Sequence, residues 1–192
     1  MLLSIIDEVN KSLDNNLYLA ALSLVLTIPD ICGKAEFPNL EKQTKKRYIK
    51  WFDEHIGQYE EDPDDVDIKC PHLSGEVIYS LRNSVLHQGT PNLDKDEIHN
   101  EDNKIDRFVL IKEPKNEFGI YSDSSSCSPE GWWMSQKDIK RTYHMSIRRL
   151  CFLICGAAEV YYENNKEKFD FFDYILVERG HEFDDVFGRG NI

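Results

Sequence analysis

The sequence predicts a mainly α-helical protein, an up-and-down bundle of four or five helices with one inserted β-hairpin. Three observations carry that prediction. Apolar residues recur at helical spacing along most of the chain, the connections between these runs are short, and one β-prone stretch at 105–122 interrupts them. With 192 residues, 41% of them hydrophobic, the chain is long enough to bury one real core. No internal repeat or long linker divides it, so residues 1–192 read as a single domain.

In the first run, Leu2, Ile5, Ile6, Val9 and Leu13 keep helical spacing until "DNN" supplies a break. Leu17, Ala20, Ala21, Leu24, Val25 and Ile28 resume the spacing up to Pro29, giving two helices or one bent helix. A third helix is predicted in "KQTKKRYIKWFDEHIG", with Tyr48, Ile49, Trp51, Phe52 and Ile56 apolar and Gly57 as its stop. The acidic "QYEEDPDDVD" that follows lacks ordered calcium-loop spacing and reads as a solvated loop. Ser74 is a plausible N-cap for the next helix, which Gly89 ends and Pro91 keeps from resuming.

Residues 105–122 then change character. "IDRFVLI" and "FGIYS", separated by "KEPKNE", predict the hairpin, and "SDSSSCSPEG" predicts a loop. A last long helix is predicted from a capping-box-like Ser135 and Asp138 through Ile139, Tyr143, Ile147, Leu150, Ile154 and Ala158. The tail from "FDFFDYILVERG" onward suggests a short helix or strand with a fraying end.

Charge narrows the function classes. There are 23 Lys and Arg against 35 Asp and Glu, a formal net charge of −12. Indiscriminate binding to long nucleic acid needs clustered cations and is disfavoured, although a local basic cleft is not. The N-terminus has no basic region before its acidic residues and does not read as a signal peptide. The longest apolar run, "LYLAALSLVLTIP", is short for a bilayer, so a cytoplasmic protein without membrane contact is expected. Five cysteines without CxxC pairs are expected to be reduced. Cys70 with His72, and Cys151 with Cys155, lack the completing half of a zinc site, so no metal is expected. No Walker loop, dinucleotide fingerprint or nucleophile–histidine spacing suggests a cofactor or a hydrolase triad.

The chemically informative stretch is "YSLRNSVLHQG", residues 79–89. If Leu81 centres the apolar face of an α-helix, Val77 and Val85 fall within about 40° of it and Ile78 within about 60°. Arg82, Asn83 and His87 then share the other side, with Asn83 and His87 stacked one turn apart. These are the parts of a metal-free phosphodiesterase site. Histidine can move the proton of a ribose 2′-hydroxyl or of the leaving oxygen, and arginine offers a planar fork to phosphate. Asparagine can orient either one. A chain supplies one such histidine, and a twofold dimer with this helix at its axis would supply two. Against this stands a plainer reading, with Arg82 paired to a carboxylate and His87 satisfying the last helix carbonyls.

The run Arg82-Asn83-Ser84-Val85-Leu86-His87 resembles the R-x(4–6)-H motif of the HEPN superfamily, with the polar residue that many members carry after the arginine. The resemblance implies a helical fold and a metal-independent endoribonuclease whose two motifs meet across a homodimer, leaving a cyclic phosphate. It implies Arg82 as stabiliser of the phosphorane, His87 as acid or base and Asn83 as support. Many members are catalytically silent dimerisation or partner-binding modules, which is the alternative expectation. Two basic clusters supply the RNA-binding candidates: Lys45, Lys46, Arg47 and Lys50 in the first, Lys140 and Arg141 in the second, with Arg148 and Arg149 beyond. Tyr48, Trp51 and Tyr143 lie among them and can stack on unpaired bases. The plainer alternative is solvated helix faces paired with nearby acids.

Overall fold

The computed structural model describes residues 1–61, 70–90, 93–129 and 139–171. The protein is mainly helical with a small three-stranded mixed sheet. The helices are α1 (Leu2–Asp14), α2 (Tyr18–Val25), α3 (Ile28–Glu36), α4 (Thr44–His55), α5 (Gly75–Asn83) and α6 (Ile147–Asn164). Only Leu26 and Thr27 separate α2 from α3, with Pro29 set in the first turn of α3, where it removes no intrahelical bond. The two act as one bent rod, whereas the sequence predicts a stop at Pro29. Helix α3 corrects that expectation, because this proline starts a helix instead of ending one.

The helices bury what their spacing predicts. Leu2, Ile6, Val9 and Leu13 form the inner stripe of α1. Tyr48, Trp51 and Phe52 of α4 meet Ile78 and Leu81 of α5 and Leu150 and Ile154 of α6 in one continuous core. Helix α6 packs on α1, α2 and α3, while α4 bridges α3 to α5. By length and composition Tyr18–Glu36 is apolar enough to cross a membrane, but half of that window is buried within the fold. Cys32, Cys151 and Cys155 are also buried. Burial pushes their thiols up, Cys155 to about 12, so they stay protonated and unreactive.

Two expectations fail in the β region. Strand β1 (Arg107–Ile111) forms where the first hairpin arm is predicted, but residues 116–122 form no strand. They make a turn closed by Asn116, whose side chain donates to the Ile120 carbonyl at 2.7 Å and accepts from its N–H at 3.1 Å. The serine-rich stretch expected to be a loop supplies β2 (Ser124–Pro129), and β3 (Ile139–Ser146) lies between β1 and β2. Strand β1 runs parallel to β3 and β2 antiparallel to it, so no hairpin links β1 to its neighbour.

The second correction concerns the last helix. Residues 139–146 are strand, and α6 starts only after Ser146, whose Oγ accepts the Arg149 N–H at 3.2 Å. Ile139, Tyr143 and Ile147 are four residues apart, a spacing common to one face of a strand and one stripe of a helix. Burial resolves the ambiguity: Tyr143 and Met145 alternate into the core, and helical periodicity begins at Ile147. The expected Ser135–Asp138 start, Trp132 and Trp133, Pro91 and the tail beyond 171 lie outside the described residues.

Arginines hold the frame together. Arg148 is buried and donates to the carbonyls of Leu13, at 2.7 Å, and Glu113, at 2.6 Å. Its guanidinium lies 5.3 Å from the Tyr18 ring and 5.7 Å from that of Tyr121. Arg149 grips Glu60 with both carboxylate oxygens at 2.7 Å, so part of the supposedly solvated acidic loop is anchored.

Helix α5 owes its seat on α4 to Gly75. A Cβ there would stand 2.6 Å from the Ile49 carbonyl oxygen and 2.8 Å from its Cα, contacts that backbone atoms cannot relieve. Gly75→Ala is therefore expected to cost about 2 kcal/mol, the scale of overpacking in a tight core. Urea unfolding of the two proteins checks this; an unchanged midpoint would mean that α4 and α5 can slide apart freely.

Candidate functional site

Helix α5 begins at Ser74, whose Oγ accepts the Val77 N–H at 3.4 Å and a second bond, at 2.9 Å, from the Asn103 amide. Val77, Ile78 and Leu81 then anchor one face in the core. After Asn83 the winding changes. Ser84–Gln88 form a π-turn, in which the N–H of Gly89 reaches the Ser84 carbonyl five residues back. Gly89 adopts φ +67° and ends the helix in the left-handed conformation that its lack of a Cβ permits.

That wider turn decides the geometry of the motif. The sequence places His87 over Asn83, four residues away; the structure instead brings it against Arg82, five residues away. Arg82 Nη1 lies 3.1 Å from His87 Nε2 and donates to Asn83 Oδ1 at 2.9 Å. A guanidinium only donates, so Nε2 must accept, which leaves the His87 proton on Nδ1. His87 is exposed, while Arg82 and Asn83 are half-buried behind it. The exposed Nδ1–H can therefore meet a substrate while the other ring nitrogen is held.

Beneath Arg82 is an aromatic support that the sequence does not single out. The Tyr79 ring lies 5.8 Å from the Arg82 guanidinium and 5.7 Å from Lys45 Nζ, within cation–π range of both. Tyr48 meets Tyr79 edge-on at 5.3 Å and donates its hydroxyl to the Leu26 carbonyl. Burial drives the Tyr48 hydroxyl far up, against the pull of the Arg82 charge, and keeps it a neutral donor.

A second side chain missed in the sequence is Glu97. Residues 93–100 are stapled to α5 at two points. Ser80 Oγ accepts the Asp94 N–H at 2.7 Å and lies 3.2 Å from the Asp94 carbonyl, and Glu76 Oε2 accepts the His99 N–H at 2.8 Å. These staples place Glu97 Oε1 at 3.4 Å from the Asn83 amide and Oε2 at 3.4 Å from Lys45 Nζ. The signal was readable only as an acidic turn, "DKDE", with nothing to say which helix it covers.

The basic candidates separate. Lys45, Lys46 and Lys50 line one open groove of about 630 Å³ together with Lys42 and His99. Lys45 also reaches the Arg82–Asn83 cluster through Glu97. Lys50 lies 3.7 Å from Glu54 and 4.2 Å from the Phe37 ring. Arg47, expected to face RNA, is buried instead: its Nε and Nη2 reach Asp30 Oδ1 at 2.9 and 2.8 Å, and it also donates to the Glu41 carbonyl. Arg141 is committed to the Glu101 carbonyl. Lys140 sits on β3 opposite Ser128. The second cluster is thus not gathered at the Arg82–His87 turn by any contact of Arg141 or Arg149.

A second polar cavity, of about 350 Å³, lies beside β2 and α6. Asp123 there accepts from Arg149 at 2.7 Å, Tyr143 at 2.9 Å and the Ser146 N–H at 2.7 Å. Burial raises its pKa, and those donors oppose the rise. Every charged group in this network is spent on another, and its evident work is to join the 57–61 turn to β3 and α6. Among the described residues no three metal-ligating side chains come together. Comparison with family models, curated proteins and solved structures finds no match to this chain.

The Arg82 contact is expected to hold His87 in the Nδ1–H tautomer at neutral pH. Imidazole ¹⁵N shifts report the tautomer directly. Arg82→Ala should release the ring to the mixture found in free histidine, and identical spectra would mean that the contact is absent in solution.

Proposed function

We propose that this protein is a metal-independent endoribonuclease whose reacting groups are Arg82, Asn83 and His87. The observation that carries the reading is the π-turn, which sets an exposed imidazole against a guanidinium at 3.1 Å. In this reading the chain is a HEPN-like domain, an up-and-down helical bundle that dimerises so that two such turns face one another. The plain alternatives for the motif find less support. Arg82 has no carboxylate within ion-pair distance among the described residues, and the His87 ring is drawn to the Arg82 guanidinium.

The chemistry follows from what each group can hold. RNA supplies its own nucleophile, the 2′-hydroxyl, so a site must remove that proton, stabilise two negative phosphate oxygens and protonate the leaving 5′-oxygen. Arg82 donates to the non-bridging oxygens, where charge builds in the transition state. Asn83 fixes the guanidinium plane and keeps it from swinging away. When Arg82 turns to the phosphate it releases Nε2. One His87, as imidazolium, can then protonate the leaving oxygen and revert to the neutral ring, while the partner protomer's neutral imidazole takes the 2′-proton on its freed nitrogen. The products are a 2′,3′-cyclic phosphate and a free 5′-hydroxyl. Lys42, Lys45, Lys46 and Lys50 give flanking phosphates a cationic groove on an otherwise acidic protein.

A second reading, a catalytically silent dimerisation or partner-binding module, is favoured by Glu97. Its carboxylate stands where a phosphate near Asn83 would go.

Single-stranded RNA incubated with the protein in EDTA separates the two. The enzyme reading expects cyclic-phosphate ends and a loss of about 10²–10⁴-fold in rate for His87→Ala, the usual worth of one proton-transfer group. Because His87 is exposed, its thermal midpoint should not move. Cleavage that survives in that variant, or no cleavage by the parent protein, would end the nuclease reading. Mixing Arg82→Ala with His87→Ala protomers should restore part of the activity if each site draws on two chains.

A further inference from the structure

Three polar atoms around Asn83 are poorly served. Arg82 Nε is buried without a hydrogen-bond partner, and so is Glu97 Oε2. Lys45 Nζ approaches that oxygen at 3.4 Å, an ion-pair distance too long or misaligned for a hydrogen bond. The Asn83 amide reaches Glu97 Oε1 only at 3.4 Å. By contrast, the Glu113 and Leu13 carbonyls meet Arg148, and Glu60 meets Arg149, at 2.6–2.7 Å. A buried donor and a buried acceptor, on the two residues that flank Asn83 in space, are left open and need an explanation.

Two donors in this cluster, Asn83 Nδ2 and Lys45 Nζ, face an anion, and that anion is a carboxylate on a short loop. We infer that Glu97 is an internal stand-in for a phosphate. The Asn83 and Lys45 donors, beside the Arg82 guanidinium that Asn83 holds, form a phosphate subsite that Glu97 occupies in the resting protomer and that an RNA phosphate takes from it. The inference rests on the nuclease reading for its ligand, but it concerns binding rather than cleavage.

Shape and chemistry both favour exchange. The Glu97 carboxylate meets the Asn83 and Lys45 donors only at 3.4 Å each and leaves Arg82 Nε without a partner. A tetrahedral phosphate has oxygens for all of them and carries its charge at a longer reach. Glu97 sits in a single 3₁₀ turn, Lys95–Glu97, held by the Ser80–Asp94 bonds on one side and by Glu76 on the other. A side-chain rotation is enough to turn its carboxylate toward solvent without disturbing those staples. Lys45 already lines the lysine groove, so it can pass from Glu97 to an incoming phosphate while the strand lies along Lys42, Lys46 and Lys50. Glu97 thereby sets a threshold: a lone weak anion does not displace it, whereas a strand engaging the groove does.

The test is binding of a short single-stranded 2′-O-methyl oligoribonucleotide, which cannot be cut, followed by fluorescence anisotropy in EDTA. Glu97→Gln keeps an oxygen for Asn83 and removes the competing charge. It is expected to tighten binding about five- to tenfold, what one repelling charge about 4 Å away supplies at a dielectric near that of water. The salt dependence should also steepen, because an expelled Glu97 no longer recaptures a cation as the strand releases its own. Ser80→Ala loosens the staple without altering charge and should move binding in the same direction by a smaller factor. Equal or weaker binding by Glu97→Gln, or no binding by any of these proteins, overturns the inference. His87→Ala should keep the gain when combined with Glu97→Gln. A gain without cleavage by any variant would end the nuclease reading and leave the phosphate subsite standing; cleavage without the gain would do the reverse.

Discussion

Everything distinctive about the motif depends on one extra residue per turn at the end of α5. In a continuous α-helix, positions five apart lie about 140° apart around the axis, so Arg82 and His87 would look in different directions. Closure from Gly89 to Ser84 widens the turn and brings them to 3.1 Å. The wider turn is tolerated because it occurs after Leu81, the last residue of this helix to be fully buried with its side chain in the core, and because Gly89 can take a positive φ immediately afterwards. The same helix thus divides into an anchored part, fixed by Gly75 against α4, and a displayed part, where geometry answers to the motif instead of to packing.

This division explains what the sequence could and could not tell. Helices α1, α2, α4 and α5 were legible because their buried faces repeat at helical spacing, and both ends of α5 because Ser74 and Gly89 are strong local signals. Helix α3 was hidden by Pro29, which reads as a stop and is a start. The contact inside the motif was not. Helical periodicity presumes one pitch throughout, so it set His87 over Asn83, and no residue between Ser84 and Gln88 advertises a π-turn. The β region was misread for a related reason. Spacing of four serves strand and helix alike, so Ile139, Tyr143 and Ile147 joined two elements into one. Ser124 to Ser126 look like a loop by composition, yet they pair with β3 because that strand offers an open edge. Glu97 was invisible because its position comes from the Ser80–Asp94 staple, a tertiary contact between residues fourteen apart.

The basic residues show how residue type decides what a charged cluster is for. Arg47, Arg148 and Arg149 all lie in runs that read as cationic surface, and all three are drawn into the frame. A guanidinium fork can satisfy several acceptors at once, which lets it replace missing backbone partners at the ends of α1 and in the loops. Lysine has no such geometry and stays outside, so Lys42, Lys45, Lys46 and Lys50 collect on one groove while their arginine neighbour turns inward. A count of basic residues overstates the surface field; lysines alone give a better measure here. With a net charge of −12 on the whole chain, any attraction felt by a nucleic acid must be local. Screening at physiological ionic strength, with a Debye length of about 8 Å, makes that workable, since distant carboxylates hardly reach the groove. The carboxylates that do reach it are Glu76 in its lining, Glu54 beside Lys50, and Glu97, which touches both Lys45 and Asn83. In an acidic protein with a small cationic cleft, control of anion binding therefore falls to the nearest fixed negative charge rather than to the overall excess.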